Sequence, residues 1–266
     1  MPFLSDVRSV AGRTLRDVRD RVHARAIRWH EVDGLRLLGG NWMAAGGDHE
    51  AVELGLFREA LDSIDAVVDV GANSGLYSLI AARAGKACFA FEPQAENLRI
   101  LYQNVAANGF DEAIEVFPLA ASDRVGSARF YGRGQGASLL SGWAGQPDYD
   151  FEWVATNTLD NLLLARLAGR RLFLKIDVEG AELQVLRGGR GLLTLASGVL
   201  LEHSLTRNQP GGTNPHFAEL FELMWAAGFH ACAADAAQTP VDGERVRAWI
   251  AAGRTDCGTE NFVFRR

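Results

Sequence analysis

A glycine-containing turn at residues 69–75 is the first stretch whose residue types could bind a ligand. It has the sequence Asp69-Val70-Gly71-Ala72-Asn73-Ser74-Gly75 and follows a short apolar run. Glycine lets the backbone approach a ligand closely, and the first N–H groups of a following helix can bind it. A dinucleotide site requires G-x-G-x-x-G, whereas this turn has G-x-N-x-G. The Asp69 carboxylate would repel a pyrophosphate but could pair with an ammonium group, such as that of S-adenosylmethionine.

A second acidic residue, Glu92, ends the next apolar run of the chain. A carboxylate at the tip of that strand can accept hydrogen bonds from both ribose hydroxyls of an adenosine. Each element alone is also typical of an ordinary turn or a solvated strand end. Their combination favours an adenosine-containing cofactor, and it favours S-adenosylmethionine over a nicotinamide.

A second candidate site consists of acids, a lysine and a histidine, namely Lys175, Asp177, Glu179, Glu202 and His203. Side chains alternate along an extended strand, so the first three would share one side. A histidine or a tuned carboxylate can serve as a proton acceptor near neutral pH. The structural alternatives are a helix-start carboxylate for Glu179, a buried ion pair for Lys175 and a surface loop for His203. No compact metal-ligand motif accompanies these residues.

Short apolar runs alternate with helical patterns from about residue 51 onward. Strands are predicted at 66–70, 87–91, 114–117, 171–177, 198–202, 229–233 and 261–264. Helices are predicted at 76–84, 95–107, 181–187 and 217–227. This alternation predicts βαβ units and a doubly wound, mainly parallel α/β sheet covered on both faces. In such a sheet the candidate residues meet at the carboxyl ends of the strands.

The segment from Phe130 to Trp153 breaks this alternation, because it contains five glycines and interleaved aromatic residues. Its flanks, 128–131 and 151–155, predict a hairpin inserted into the domain. Loops this long are usually functional or disordered. The hairpin is therefore either a lid with aromatic contacts to a substrate or a cover for the sheet edge.

Residues 1–30 contain seven arginines and three acids, with apolar residues at helical spacing. They predict either a basic amphipathic helix on an anionic membrane surface or a partner, or a solvated, partly disordered leader. A secretory signal is not indicated, since no continuous apolar core follows the first charges. We expect an N-terminal helical extension over 1–45 and one domain over 46–266.

The composition excludes several classes of protein. The chain has 266 residues, 48% of them hydrophobic, and a formal net charge of −6. That charge argues against nucleic-acid binding through overall basic charge. Three separated cysteines without a CxxC pair suit a reducing cytosol, so a cytoplasmic location is predicted. No apolar run approaches the roughly 20 residues of a membrane helix.

The sequence resembles the FkbM family of S-adenosylmethionine-dependent methyltransferases over roughly residues 48–205. The resemblance is carried, in chain order, by VVDVGANSGLYSLIAARAG, AFEP, AASDRVGSARF, TLDNLL, LKIDVEGAELQVLRGG and LLEHS. It implies a class I methyltransferase fold, which is Rossmann-like, with a seven-stranded sheet and an antiparallel last strand. It also implies methyl transfer, usually to a hydroxyl oxygen of a sugar, glycan or natural product.

The resemblance further implies roles for individual residues. The cofactor site would comprise Glu50, Asp69, Gly71, Ala72, Asn73, Gly75, Glu92, Pro93, Ala121, Ser122 and Asp177. In this set the 69–75 turn would hold the methionine part, Glu92 the ribose, and Ala121 or Ser122 the adenine. Two other functions stay open: a nicotinamide-dependent oxidoreductase, which Asp69 and the missing glycine disfavour, and a non-catalytic cofactor-binding scaffold. The sequence does not indicate an oligomeric state.

Overall fold

The structure is a computed structural model, and it describes residues 28–39, 51–134 and 136–266. The strands are β1 (Trp29–Val32), β2 (Leu35–Leu38), β3 (Ala66–Val70), β4 (Ala87–Phe91), β5 (Ile114–Phe117), β6 (Ala120–Ala121), β7 (Gly126–Tyr131), β8 (Phe151–Asn157), β9 (Leu172–Ile176), β10 (Ala196–Glu202), β11 (His230–Ala233), β12 (Pro240–Val241) and β13 (Asn261–Arg265). The helices are α1 (Ala51–Leu61), α2 (Leu76–Arg83), α3 (Ala95–Asn108), α4 (Glu182–Gly188), α5 (Arg190–Leu193), α6 (Phe217–Ala226) and α7 (Gly243–Ala252).

The central sheet has the strand order β12-β11-β13-β10-β9-β3-β4-β5. Strands β10, β9, β3, β4 and β5 are parallel, and β13 runs antiparallel between β10 and β11. The predicted α/β fold with a mainly parallel sheet is therefore confirmed. Among the described residues the sheet has eight strands and not seven, because the two-residue β12 pairs with the edge of β11.

Alternating side chains of the central strands fill two separate cores. Val67 and Phe173 belong to a core with α1, α2 and α3, whereas Val68 and Leu174 belong to a core with α4, α6 and α7. Every residue of β3 and β9 is buried. Helices therefore cover both faces of the sheet, which explains the uninterrupted apolar character of these strands.

The predicted inserted hairpin is present as β7 and β8, which pair antiparallel and form a small sheet with β6. One face of this sheet is buried through Phe130 and Val154. The other face is solvent-exposed, and there the Arg129 guanidinium lies 4.5 Å from the centre of the Phe151 ring. The aromatic residues of the insertion therefore do not act as one group: Tyr149 and Trp153 are exposed, whereas Trp143 is buried.

The first described residues form a hairpin, β1 and β2, where the sequence predicted a helical extension. The turn is Asp33-Gly34, and both residues have positive φ, as two-residue hairpin turns require. The remainder of the predicted extension, residues 1–27 and 40–45, lies outside the described residues, and the boundary at 45/46 stays a prediction. Across 28–39, 51–134 and 136–266, no helix is long and apolar enough to cross a membrane.

Candidate functional site

A cavity of about 470 Å³ opens where the parallel strands of the central sheet end. Residues that follow or end β3, β4, β9 and β10 line it, among them Gly71, Glu92, Asp177 and Glu202. The volume lies within the range of about 300–1,000 Å³ typical of small-molecule sites. The two candidate sites that the sequence predicted are therefore parts of one cavity.

The turn after β3 is held between the neighbouring strands. Gly71 and Ala72 donate N–H bonds of 3.0 and 2.9 Å to the carbonyl of Phe91. Gly71 has φ +79°, and a Cβ atom there would lie 1.8 Å from the carbonyl oxygen of Asp177. Glycine is therefore required at 71, because the ends of β3 and β9 approach so closely. Gly71, Ala72 and Asn73 line the cavity.

Gly75, at the start of α2, does not line the cavity. Its φ is +91°, and a Cβ atom there would lie 2.4 Å from Cδ1 of Leu101. The glycine allows α2 and α3 to pack closely, so its predicted contact with a cofactor is wrong. The 69–75 turn thus contains two glycines with different structural roles: Gly71 allows the ends of β3 and β9 to approach, and Gly75 allows α2 and α3 to pack closely.

Asp69 is fully buried in β3 and is absent from the cavity lining. Its Oδ2 accepts bonds of 2.6 Å from Ser78 Oγ and 3.1 Å from Ser78 N. Its Oδ1 lies 4.0 Å from Nζ of Lys175. Burial raises the pKa of this carboxyl, and Lys175 and Ser78 act against that effect. The predicted direct pairing of Asp69 with an ammonium group is therefore wrong, because the side chain points to Ser78 and Lys175.

Glu92 lines the cavity and connects two turns. Its Oε2 accepts a 2.9 Å bond from the backbone N–H of Asn73, and its Oε1 accepts a 2.8 Å bond from that of Gln94. Burial raises the pKa of Glu92, and the bonds from Gln94 and Asn73 oppose this effect. A carboxylate has about four acceptor positions, and the Asn97 side chain also bonds Glu92, so Glu92 can accept a further hydrogen bond. Pro93 also lines the cavity.

One wall beside Glu92 is apolar and suits an aromatic base. It consists of Phe91, Leu119, Ala120, Ala121 and Phe130. Ala121 thus lies in the cavity wall, and its contact with adenine stays a prediction. Ser122 is buried away from the cavity lining, and its N–H bonds the carbonyl of Asn157 at 2.9 Å. The predicted contact of Ser122 with adenine is wrong, because β6 pairs with β8 at this point.

Lys175 and Asp177 lie at the end of β9, and both line the cavity. The Lys175 ammonium group is 3.3 Å from Oδ2 of Asp177 and 3.2 Å from the carbonyl oxygen of Gly71. It also lies 5.2 Å from the centre of the Tyr77 ring. Lys175 is 7% exposed, so these contacts hold its positively charged ammonium group in place beneath the turn that follows β3. Asp177 keeps about a third of its side chain accessible.

Glu179 lines the cavity with a backbone φ of +55°, an uncommon value for a non-glycine residue. Its Oε2 accepts a 2.8 Å bond from the indole Nε1–H of Trp143. Burial raises the pKa of Glu179, and the bond from Trp143 lowers it. The structure therefore places a partly desolvated carboxylate in the cavity.

Glu202 and His203, which end and follow β10, have different surroundings. Glu202 lines the cavity and forms an ion pair with Arg207. His203 is 2% exposed, stacks on Phe217 with ring centres 5.0 Å apart, and lies 3.7 Å from the Glu182 carboxylate. The prediction that His203 faces an acceptor is wrong, because its ring points into the core.

Several lining residues were not predicted, namely Gln94, Asn97, Arg207 and Asn208. Gln94 exchanges two hydrogen bonds with the backbone of Gly134, at 3.0 and 3.3 Å. Only its position two residues after Glu92 could have indicated it. Glu50, the remaining predicted residue, lies outside the described residues. Over the described ranges, no group of three or more His, Cys, Asp or Glu could hold a metal ion.

Three solved structures illustrate what the chain is similar to. The methyltransferase FkbM from Methylobacillus flagellatus KT is 16% identical, with a TM-score of 0.46, over 76% of this chain and 44% of that protein. A SAM-dependent methyltransferase from Agrobacterium tumefaciens is 14% identical, with a TM-score of 0.44, over 75% and 57%. A putative tRNA (m1A22) methyltransferase from Streptococcus pneumoniae is 14% identical, with a TM-score of 0.43, over 73% and 74%.

The chain thus spans less than half of the Methylobacillus protein and less than two thirds of the Agrobacterium protein. No curated protein matches the sequence. The family described as the methyltransferase FkbM domain matches residues 69–231, which is more than half of the chain and includes both sides of the cavity. The chain belongs to the FkbM methyltransferase domain family.

Proposed function

We propose that the protein transfers a methyl group from S-adenosylmethionine to a hydroxyl oxygen of a sugar, glycan or natural product. The observation that carries this proposal is that one cavity holds both sets of residues. Glu92 and the Gly71–Asn73 turn line one part, and Asp177 and Glu179 line another. A donor and an acceptor bound there would be neighbours, as methyl transfer requires.

The residues present fit the adenosine part of the cofactor. Glu92 keeps acceptor capacity beyond its bonds from Asn73, Gln94 and Asn97, which suits a ribose hydroxyl. The apolar wall that includes Phe91 and Leu119 suits the adenine. These features support the assignment of Glu92, and Pro93 and Ala121 would extend the same subsite.

For the amino group of the methionine part, we assign Asp177 the role that the sequence suggested for Asp69. Asp177 lines the cavity with an accessible carboxylate, whereas Asp69 is fully buried. A carboxylate accepts several hydrogen bonds, so Asp177 can bind Lys175 and a ligand ammonium group together. Lys175 would then position Asp177 against the Gly71 turn.

Glu179 is the best-placed proton acceptor in the cavity. When bound, S-adenosylmethionine supplies an electrophilic methyl group. The acceptor hydroxyl must then lose its proton, and Glu179 is a cavity carboxylate whose pKa is raised by burial. A base with a pKa nearer to the working pH is a better catalyst. Alignment of the hydroxyl by the cavity walls would contribute several further kcal/mol.

The charges of the cavity favour an acceptor without negative charge. Four carboxylates line it, those of Glu92, Asp177, Glu179 and Glu202. Its cations are largely neutralised, since Lys175 pairs with Asp177 and Arg207 pairs with Glu202 and Glu260. An anionic acceptor would be repelled at these distances, whereas the hydroxyls of a neutral sugar could donate hydrogen bonds to the carboxylates.

The test has a binding step and a turnover step. Calorimetry and thermal unfolding with S-adenosylhomocysteine should show binding and stabilisation, whereas NADH and NADPH should give neither. A screen with methyl-labelled S-adenosylmethionine should then label neutral hydroxyl compounds and not their phosphorylated or carboxylated analogues. Stabilisation by a nicotinamide, or tight cofactor binding without transfer to any acceptor, would contradict the proposal.

A further inference from the structure

The indole of Trp143 makes a direct polar contact with the cavity carboxylate Glu179. Trp143 lies in the inserted segment, residues 136–150, and is 4% exposed. Its Nε1–H donates to Oε2 of Glu179 at 2.8 Å. A buried hydrogen bond from a fixed donor to a carboxylate is among the stronger protein hydrogen bonds. This contact therefore fixes one oxygen of Glu179.

The inserted segment also fixes the backbone around Glu179. The Ser138 hydroxyl donates a 2.6 Å bond to the carbonyl of Glu179. The following Gly180 has φ +94°, and a Cβ atom there would lie 2.6 Å from the Trp143 ring. Because the backbone of Glu179 is itself in the uncommon left-handed region, these contacts stabilise a conformation that the β9–α4 connection would not adopt readily alone.

We infer that Trp143 is a positioning residue for methyl transfer, which holds the Glu179 carboxylate in the orientation and charge state that an acceptor hydroxyl requires. This inference rests on the proposed function of Glu179. The inserted segment would then contribute to the reaction by orienting Glu179, since a base needs a defined orientation as well as a suitable pKa. Trp143 would act through Glu179 without contact to the reacting atoms.

The charged groups around Glu179 determine how its pKa responds to Trp143. Burial raises this pKa, the Trp143 bond lowers it, Asp177 and Glu182 raise it, and Arg207 lowers it. Without the indole N–H, the carboxylate loses a bond that stabilises its charged form. The pKa of Glu179 should therefore rise in Trp143→Phe, which keeps a ring against Gly180 but removes the donor.

The first test needs no acceptor and follows the indole N–H signals of ¹⁵N-tryptophan-labelled protein across pH. The chain has six tryptophans, and Trp249 provides a comparison because its indole bonds Asp256 at 2.7 Å. The signal that disappears in Trp143→Phe should titrate in the wild type and stop titrating in Glu179→Gln. The Trp249 signal should be unaffected by Glu179→Gln. A Trp143 signal that titrates in Glu179→Gln as it does in the wild type would overturn the inference.

The second test measures kcat against pH on an acceptor that the wild type methylates. Trp143→Phe should reduce kcat about ten-fold at low pH, move the acidic limb to higher pH, and recover only in part at alkaline pH, where the charge of Glu179 is restored but its orientation is not. Its affinity for S-adenosylhomocysteine should stay within a few-fold of the wild type. The control is Trp153→Phe, an exposed tryptophan of the neighbouring hairpin, and its profile should match the wild type.

The outcomes separate this inference from the proposed function. An acidic limb at the wild-type pH in Trp143→Phe would leave Trp143 a structural role only and refute the inference. A wild type that binds S-adenosylhomocysteine but methylates nothing would refute the proposed function, and with it a role for Trp143 in the reaction. The indole titration would in that case still report the contact itself.

Discussion

The substitution Gly71→Ala tests whether the close approach of β3 and β9 builds the cavity. Gly71 has φ +79°, and its Cβ position lies 1.8 Å from the Asp177 carbonyl oxygen. Gly85 offers a matched control, because it has φ +74° with no atom within 4 Å of its Cβ position. Both substitutions force alanine into the left-handed region, and only Gly71→Ala also creates a collision.

The expected magnitudes follow from these two geometries. Left-handed backbone costs an L-residue about 1–2 kcal/mol, which is the full expected loss of stability in Gly85→Ala. An ordinary C···O contact is about 3.3–3.6 Å, so in Gly71→Ala the end of β9 must move. Such overpacking adds about 1–3 kcal/mol, or roughly 2–12 °C in Tm at about 2–4 °C per kcal/mol.

The assay combines urea unfolding with calorimetry of S-adenosylhomocysteine binding. Gly71→Ala should lose more stability than Gly85→Ala and should weaken binding at least about ten-fold, because Asp177 and the turn move apart. Gly85→Ala should bind as the wild type does. Equal stability losses in the two variants, or unchanged affinity in Gly71→Ala, would refute the argument that this contact shapes the site.

Four further predictions concern single side chains. Glu92→Ala should weaken S-adenosylhomocysteine binding about 10–100-fold, and unchanged affinity by calorimetry would contradict its role with ribose. Glu179→Gln should lower kcat about 10²–10⁴-fold at near-normal cofactor affinity. His203→Asn should lower the unfolding free energy by about 1–3 kcal/mol and leave kcat unchanged. The reverse pattern of effects on kcat would indicate that His203, and not Glu179, is the base. Asn104→Ala removes bonds to Leu38 and Ser74, so amide exchange in β2 should accelerate, and unchanged protection would contradict that anchoring role.

The positions of the parallel strands could be predicted from the sequence alone. Continuous apolar runs such as 66–70 and 172–176 are buried on both sides. Such strands can be recognised in the sequence because a central parallel strand has no polar face. The same logic placed Glu92, Asp177 and Glu179 at the ends of strands, where they line one cavity. The inserted hairpin was predicted from its glycines and aromatic residues.

The direction in which each side chain points could not be predicted in this way. Asp69 and His203 have the residue types and spacing of site residues, yet both are buried against neighbours distant in sequence, Lys175 and Phe217. Gly75 and Ser122 were misassigned for the same reason, since their neighbours Leu101 and Asn157 belong to other elements.

The sequence by itself thus determined where the strands lie and which residues end them, because those properties depend on local periodicity and burial. Only the tertiary structure decided that Asp177 and not Asp69 faces the cavity, and that Trp143 bonds Glu179. These are contacts between segments far apart in the chain. The packing of whole elements fixes them, and no local pattern of residues encodes the choice.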